Sequence, residues 1–239
     1  MSLSNKVILV SGANRGIGAA TVRELLKAGV KKIYAGARNL DSLPDFNDSR
    51  VVSLQLDITR DESVQKAADT AKDVDVLVNN AGTMAFGDWI TSTQEVIDAD
   101  MNTNFYGTLR VIRAFTPHFV NRGSGTIANM VSVVGLAPVP LLAGYSASKA
   151  ALQSLTQALR GTLAKSGITV IGIYPGPIDT DLAKGIPLEK STPEHAAINI
   201  VRGIEKGDSY IFPDPMALQI EHLWAHESRQ LETAMQLGG

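Results

Sequence analysis

Short runs of apolar and β-branched residues alternate with longer amphipathic segments along most of the chain. The apolar runs predict strands at 7–10, 32–35, 51–56, 76–78, 125–131 and 168–174. A helical spacing of apolar positions marks the segments between them, at about 16–28, 61–71, 92–119, 144–165 and 192–206. Strands that are apolar throughout are typical of a parallel sheet covered on both faces. The alternation therefore predicts a doubly wound α/β domain with a mostly parallel sheet.

Nothing in the pattern divides the chain into separate domains. A hydrophobic content of 44% in 239 residues is enough for one sizeable core. There is no repeat, low-complexity tract or linker, so we predict one domain over residues 1–239. The character changes after Tyr210, where two prolines lead into a helical pattern from Met216 to about Met235. We expect this C-terminal extension, residues 210–239, to pack on the same domain or on a neighbouring subunit.

The charge balance and the lack of cysteine narrow the class of partner. The chain has 22 basic and 24 acidic residues, a net charge of −2 and no block of like charges. This balance argues against nucleic-acid or membrane binding and favours a small molecule. Without cysteine there is no disulfide, thiolate metal site or cysteine nucleophile. No signal sequence or membrane-spanning run is present, so we expect a cytoplasmic protein.

A glycine-rich loop joins the first predicted strand to the first predicted helix. Glycine lets backbone N–H groups approach a pyrophosphate closely, and the helix N-terminus presents its positive end to the same anion. The G-x-x-x-G-x-G spacing lacks the Gly-Lys-Ser/Thr ending of a nucleoside-triphosphate loop. A dinucleotide is therefore favoured over ATP or GTP. The candidate cofactor contacts in this loop are Gly12, Asn14, Arg15, Gly16, Ile17 and Gly18.

The end of the second strand indicates which nicotinamide cofactor is bound. A carboxylate there would bind the ribose 2′-hydroxyl of NAD, but this chain has Ala37 and Arg38. The Arg38 guanidinium matches a 2′-phosphate, and Arg15 is placed to approach that phosphate from the other side. These residues favour NADP(H). In the alternative interpretation both arginines are ordinary surface residues, with Asp41 near enough to pair with Arg38.

Tyr145 and Lys149 form a candidate proton-transfer pair, with Ser132 upstream at the end of an apolar stretch. Positions i and i+4 share one face of a helix, so the Lys149 ammonium can lie near the Tyr145 hydroxyl. A positive charge there would lower the phenol pKa towards the range of a general acid–base. Taken alone, the pair is also compatible with a half-buried tyrosine beside a surface lysine.

Several motifs in order resemble the short-chain dehydrogenase/reductase family over residues 6–181. They are the glycine loop, Asn79-Asn-Ala-Gly82, Asn104, Ser132 and Tyr145-x-x-x-Lys149. The departures are Ser11, where the family often has threonine, and Val131, where it often has a first serine. The resemblance implies a Rossmann-like fold and a homotetramer or homodimer that buries the helices over 104–119 and 144–165.

The resemblance also implies a role for each matching residue. Tyr145 would be the proton donor or acceptor, Ser132 would hydrogen-bond the substrate carbonyl, and Lys149 would bind the nicotinamide ribose. Asn104, not Asn102, would hold a water that links Lys149 to solvent. Further cofactor contacts would be Asp57, Ile58, Asn80, Ala81, Gly82, Tyr145, Lys149, Pro175, Gly176, Ile178 and Thr180.

The implied activity is hydride transfer between NADP(H) and a carbonyl or secondary alcohol. The segment 133–144 is almost wholly apolar, and Met84, Phe86, Leu141 and Leu182 are placed to join it. These residues predict a pocket for a hydrophobic ketone or aldehyde; alternatively, they only pack a loop or a subunit contact. An NAD-dependent alcohol dehydrogenase and a non-catalytic NADP(H) sensor are the competing functions. We expect no metal at His222 and His226, because no third ligand can be assigned.

Overall fold

Seven strands pair into one parallel sheet in the computed structural model, which describes residues 2–237. Their order across the sheet is β3-β2-β1-β4-β5-β6-β7. The chain reverses its winding direction between β1 and β4, and ligands of such sheets bind outside the carboxyl ends of the strands at this point. The strands are β1 (Val7–Ser11), β2 (Lys32–Ala37), β3 (Val51–Gln55), β4 (Val76–Asn79), β5 (Gly125–Met130), β6 (Ile168–Ile173) and β7 (Tyr210–Ile211).

Helices cover both faces of the sheet, which confirms the predicted fold class. Strand β1 shows why, because its side chains alternate between the faces. Ile8 and Val10 join a core with helices α1 and α6, whereas Leu9 joins a second core with α2 and α4. The helices are α1 (Gly16–Lys27), α2 (Asp61–Thr70), α3 (Gln94–Asp100), α4 (Thr108–Arg122), α5 (Ala143–Leu163), α6 (Pro193–Lys206), α7 (Pro215–His226) and α8 (Ser228–Leu237).

The helix predicted over 92–119 is interrupted. Helix α3 ends at Asp100, a π-helical turn runs from Met101 to Gly107, and α4 follows. A π-turn adds a residue to the helical repeat and is frequent at functional sites. Its last residue packs closely on the loop after β3, since a Cβ on Gly107 would lie 2.9 Å from Ile58 Cγ1. Asn104 lies in the middle of this turn and is buried.

The C-terminal extension differs from its prediction in two ways. Tyr210 and Ile211 form the edge strand β7, and the single predicted helix is two helices separated at Glu227. Phe212 and Leu231 pack with Tyr174 in a third core, so the described part of the extension lies on the same domain. The last two residues of the predicted extension lie outside the described residues. No helix in residues 2–237 combines the length and apolar character that crossing a membrane requires.

Candidate active site

The glycine loop after β1 is held rigidly against the loop after β4. The Ser11 hydroxyl accepts hydrogen bonds from the backbone N–H groups of Asn80 and Ala81, each at 3.0 Å. The Asn80 amide donates to the carbonyls of Ser11 and Gly12 at 3.0 and 3.1 Å. A Cβ on Gly18 would lie 2.1 Å from the Gly12 carbonyl oxygen, so only glycine allows this approach. The loop thus fits a bound pyrophosphate, because Gly12, Gly16 and Gly18 line an open groove at the start of α1.

A groove of about 640 Å³ runs from this loop along the carboxyl ends of β1 to β4. It collects most of the predicted cofactor contacts, and the cavity beside it takes the remaining ones. Residues on the groove wall that the sequence did not indicate include Asn39, Ser42, Leu56, Thr59 and Thr103. The predicted residues that line the groove are Gly12, Asn14, Arg15, Gly16, Ile17, Gly18, Arg38, Asp57, Ile58, Asn80, Ala81, Gly82 and Thr180.

The two arginines predicted at the 2′-phosphate lie in this groove in different situations. Arg38 follows β2 directly, is exposed, and forms no ion pair with Asp41 among the described residues. Arg15 instead donates to Asp181 at 2.7 Å, with the two side chains 63% and 69% exposed. An exposed pair of this kind contributes little stability, so a phosphate can compete for Arg15. Arg38 is the arginine that is already free to meet it.

Asp57 lies at the far end of the groove, where β3 ends. Burial acts to raise the pKa of its carboxyl, but hydrogen bonds from the Thr59 hydroxyl and backbone, together with the Arg38 charge, lower it overall. The Thr59 hydroxyl donates at 2.7 Å and its N–H at 3.0 Å. The carboxylate is therefore ionised at neutral pH and held in one orientation.

A second cavity, of about 610 Å³, opens beside the groove and contains the candidate catalytic residues. Ser132, Tyr145 and Lys149 line its inner end and are 6%, 9% and 4% exposed. The Ser132 hydroxyl lies 3.3 Å from the Pro175 carbonyl, to which it donates, and it accepts from the Val134 N–H at 3.4 Å. The structure thus brings these three residues together at the end of β5 and the start of α5. Nine of the predicted cofactor contacts line this cavity, some of them together with the groove: Ile17, Asn80, Gly82, Tyr145, Lys149, Pro175, Gly176, Ile178 and Thr180.

The electrostatics of the pair differ from the prediction. Burial raises the pKa of Tyr145 to about 12, although a hydrogen bond with Ser132 acts to lower it. Lys149 is not among the groups that shift the Tyr145 pKa in this arrangement. Its ammonium donates to the Met130 carbonyl at 2.8 Å and lies 5.5 Å from the Tyr145 ring centre. Burial lowers the pKa of Lys149 to about 8, against the charge of Asp100. The expected depression of the phenol pKa is therefore wrong for the protein by itself.

Asn104 lies behind the cavity and is fully buried. Its amide donates to the Thr83 carbonyl and the Ser148 hydroxyl, and its oxygen accepts from the Thr83 N–H, all at 2.9 Å. These bonds tie the loop after β4 to α5. A Cβ on Gly82 would lie 2.9 Å from Asn104 Oδ1 and 3.7 Å from Lys149 Nζ, so glycine keeps the space between them open.

The outer wall of the second cavity is apolar. The predicted residues Met84, Phe86, Leu141 and Leu182 all line it, together with Val134, Val139 and Leu142 of the segment 133–144. The structure adds a contribution that the sequence did not indicate, from the two C-terminal helices. Those residues are Met216, Ile220, Ala234 and Met235.

Asp214 connects these helices to the catalytic edge of the sheet. Its carboxylate is 2% exposed, caps α7 by accepting from the Ala217 N–H at 3.0 Å, and accepts from the Gly176 N–H at 2.8 Å. Burial raises the pKa of this carboxyl. An aspartate directly before Pro215 is a recognisable helix-start signal in the sequence.

His222 and His226 lie exposed on α7 with ring centres 5.0 Å apart. Within residues 2–237, no group of three or more His, Cys, Asp or Glu side chains is placed to hold a metal ion.

Comparison with known proteins places this geometry in context. The family model for short chain dehydrogenases matches residues 6–191. An uncharacterized oxidoreductase of Staphylococcus saprophyticus is 35% identical over 193 residues, which are 77% of this chain and 82% of that protein. A short-chain dehydrogenase from Burkholderia cenocepacia, crystallised with NADP, superposes with a TM-score of 0.93 at 35% sequence identity. The match covers 98% of this chain and 99% of that protein's chain. One from Streptomyces avermitilis has a TM-score of 0.85 at 28% identity, with 97% and 96% covered.

Proposed function

The chain belongs to the short-chain dehydrogenase/reductase family of oxidoreductases, and we propose that it transfers hydride between NADP(H) and a hydrophobic ketone or aldehyde. The proposal goes beyond the family in two respects, the choice of cofactor and the class of substrate. Each rests on a different part of the site.

The second cavity carries the substrate proposal. Among the described residues that line it, Lys149 is the only one with a charged side chain. The Ser132 and Tyr145 hydroxyls and the Lys149 ammonium lie at the inner end of the cavity, whereas most of the remaining wall consists of apolar side chains. A cavity of about 610 Å³ with this distribution suits an apolar molecule that presents one oxygen to Ser132 and Tyr145. It offers no counter-charge to a substrate carboxylate away from the reacting end.

The groove supports NADP(H). No acidic side chain lies directly at the end of β2, and the exposed Arg38 lies beside Asn39 and Ser42 on the groove wall. Such a group of donors matches a 2′-phosphate. The similar dehydrogenase from Burkholderia cenocepacia was crystallised with NADP, which is consistent with this proposal.

The cofactor, when bound, supplies or accepts the hydride. The protein's residues handle the substrate oxygen. During reduction negative charge grows on that oxygen, and the hydroxyls of Ser132 and Tyr145 donate hydrogen bonds to it. Donors aimed at developing charge in a site without water lower the activation free energy by several kcal/mol. Tyr145 then gives its proton to the oxygen. The high phenol pKa of about 12 keeps this proton in place at neutral pH until the oxygen becomes basic.

Lys149 has two tasks in this scheme. Its ammonium, now held by the Met130 carbonyl at 2.8 Å, would bind the ribose hydroxyls and stabilise the phenolate that Tyr145 becomes. The space kept open by Gly82, between Lys149 and Asn104, would hold a water through which the proton is replaced. The apolar wall excludes other water from the reacting atoms.

The test is the loss of NADPH absorbance with a panel of carbonyl compounds. We expect turnover of hydrophobic probes such as benzaldehyde, 2-decanone and menadione. Pyruvate and glyceraldehyde, which are charged or hydroxylated, should react poorly. The matched control is Tyr145→Phe, which removes only the phenolic oxygen and should abolish turnover.

The other outcomes separate the competing functions. Tight NADPH binding without turnover of any probe would favour a non-catalytic sensor. Oxidation of hydrophobic alcohols with NAD, at equal or higher efficiency, would favour an NAD-dependent alcohol dehydrogenase. Activity confined to the charged and hydroxylated probes would contradict the apolar pocket.

A further inference from the structure

Asp100 is a buried acid that the proposed mechanism does not use. It is the last residue of α3, directly before the π-turn, and is only 1% exposed. One carboxylate oxygen, Oδ2, accepts a hydrogen bond from the Ala85 N–H at 3.3 Å. The other, Oδ1, is enclosed and has no hydrogen-bond partner among the described residues. Buried carboxylates are normally fully paired, so this one requires an explanation.

The carboxylate lies against the first turn of α5. A Cβ on Gly144 would lie 3.4 Å from Asp100 Oδ2, and Gly144 immediately precedes Tyr145. No side chain caps the N-terminus of α5, and no acidic residue lies in its first turn. The positive end of the helix dipole therefore meets a negative charge that comes from a different helix.

Among the described residues, the titratable groups on which the charge of Asp100 acts both lie on α5. They are Tyr145 and Lys149, and the charge of Asp100 acts to raise the pKa of each. The contact is not an ion pair, because the Lys149 ammonium is directed at the Met130 carbonyl. The loop at Ala85 contributes a backbone N–H. Asp98, on the same helix as Asp100, is exposed.

We propose that Asp100 is a positioning residue for proton transfer: its buried negative charge favours the phenol form of Tyr145 and the ammonium form of Lys149, and so adapts the site to carbonyl reduction. The proposal rests on the proposed function, because it concerns the same proton. Reduction requires Tyr145 to start with its proton and Lys149 to be charged. Without a nearby anion, burial would work against the charged lysine.

The effect has a defined pH range. Burial raises the pKa of Asp100 to about 6, against the Ala85 hydrogen bond and the Lys149 charge, which lower it. At neutral pH the carboxylate is ionised and exerts its effect. Below about pH 6 it gains a proton and the effect disappears.

The direct test is the titration of Lys149 by NMR, which does not require turnover. The Cε signals of ¹³C-labelled lysines are followed against pH, and Lys149→Met identifies the signal of interest. In Asp100→Asn we expect the Lys149 midpoint to fall by about one pH unit, because an opposite charge has been removed. The control Asp98→Asn removes the same charge from the exposed side of α3 and should leave the midpoint unchanged. Asp100→Glu, which keeps the charge, should do so too.

Turnover provides a second measurement. In the reduction of benzaldehyde with NADPH, the alkaline limb of the pH profile should move to lower pH in Asp100→Asn by the same amount. The two profiles should converge below about pH 6, where Asp100 of the wild-type protein is neutral. In the oxidation of benzyl alcohol with NADP, the acidic limb should also move to lower pH, since Tyr145 then acts as the base.

An unchanged Lys149 midpoint in a folded Asp100→Asn protein would overturn the proposal. If that variant fails to fold, the Lys149 titration of the wild-type protein tests the same proposal. Its Lys149 signal should show a second, smaller inflection near pH 6 as Asp100 gains a proton, and a single transition would reject the coupling. A shifted midpoint in an enzyme that turns over no probe would instead count against the proposed function alone.

Discussion

Replacing Arg38 by glutamine tests the cofactor assignment with the least disturbance to the fold. The side chain is exposed at the end of β2 and lines the cofactor groove. Glutamine keeps a polar side chain of similar length but removes the charge and the guanidinium fork. NADPH should bind less tightly, whereas NADH has no 2′-phosphate and should bind almost as before.

The expected magnitude follows from the contacts available to the phosphate. A hydrogen bond to a charged group contributes about 1.5–3 kcal/mol. Because each 1.4 kcal/mol is a factor of ten in the dissociation constant, Arg38→Gln should weaken NADPH binding by about 10- to 100-fold. Arg15 sets the lower end of this range, since it can leave Asp181 and compensate in part.

The assay is a fluorescence titration of the protein with NADPH and with NADH. Arg60→Gln is the matched control, because Arg60 is also exposed and also acts electrostatically on Asp57 but does not line the groove. It should change neither dissociation constant by more than about threefold, since remote exposed charges are screened. Equal weakening of NADPH and NADH by Arg38→Gln would refute the phosphate contact. So would unchanged affinity for both cofactors.

Two further predictions concern the C-terminal extension. Asp214→Ala leaves the N–H groups of Gly176 and Ala217 without their carboxylate acceptor and should lower the free energy of unfolding by about 2–4 kcal/mol, measured in urea. A loss below about 1 kcal/mol would contradict this coupling. Met216→Ala removes apolar surface from the cavity wall. It should raise the KM for 2-decanone by about 10-fold without affecting NADPH binding. Leu218→Ala, on the exposed side of the same helix, is its control, and equal effects would exclude a pocket role.

The fold was predictable because its signals are local. Each internal strand contains a short run of apolar residues, and the glycine loop is recognisable from its position between a strand and a helix. Strand β7 was not predictable, because a strand of two residues, Tyr210 and Ile211, is too short to show a periodic pattern. The interruption at the π-turn also escaped the pattern, because the apolar spacing continues on both sides of it.

The residues of the candidate site also differ in how far the sequence could predict them. The order and spacing of Ser132, Tyr145 and Lys149 match the family motifs, so the sequence predicted that these side chains lie close together. Asp100 could not be identified, because an acid among polar residues within the helix predicted over 92–119 is expected to be exposed. The pairing of Arg15 with Asp181 joins residues far apart in the chain, and only the folded structure brings them together. The raised pKa of Tyr145 likewise depends on burial that the sequence does not reveal.

The most direct test of the central claim compares wild-type protein with Tyr145→Phe in one experiment. NADPH binding is measured by fluorescence, and NADPH oxidation is then followed with benzaldehyde and 2-decanone. We predict turnover by the wild-type protein, no detectable turnover by Tyr145→Phe, and dissociation constants for NADPH within about threefold of each other, because the phenol acts on the substrate oxygen. Near-normal turnover by Tyr145→Phe would contradict the assignment of Tyr145 as the proton donor.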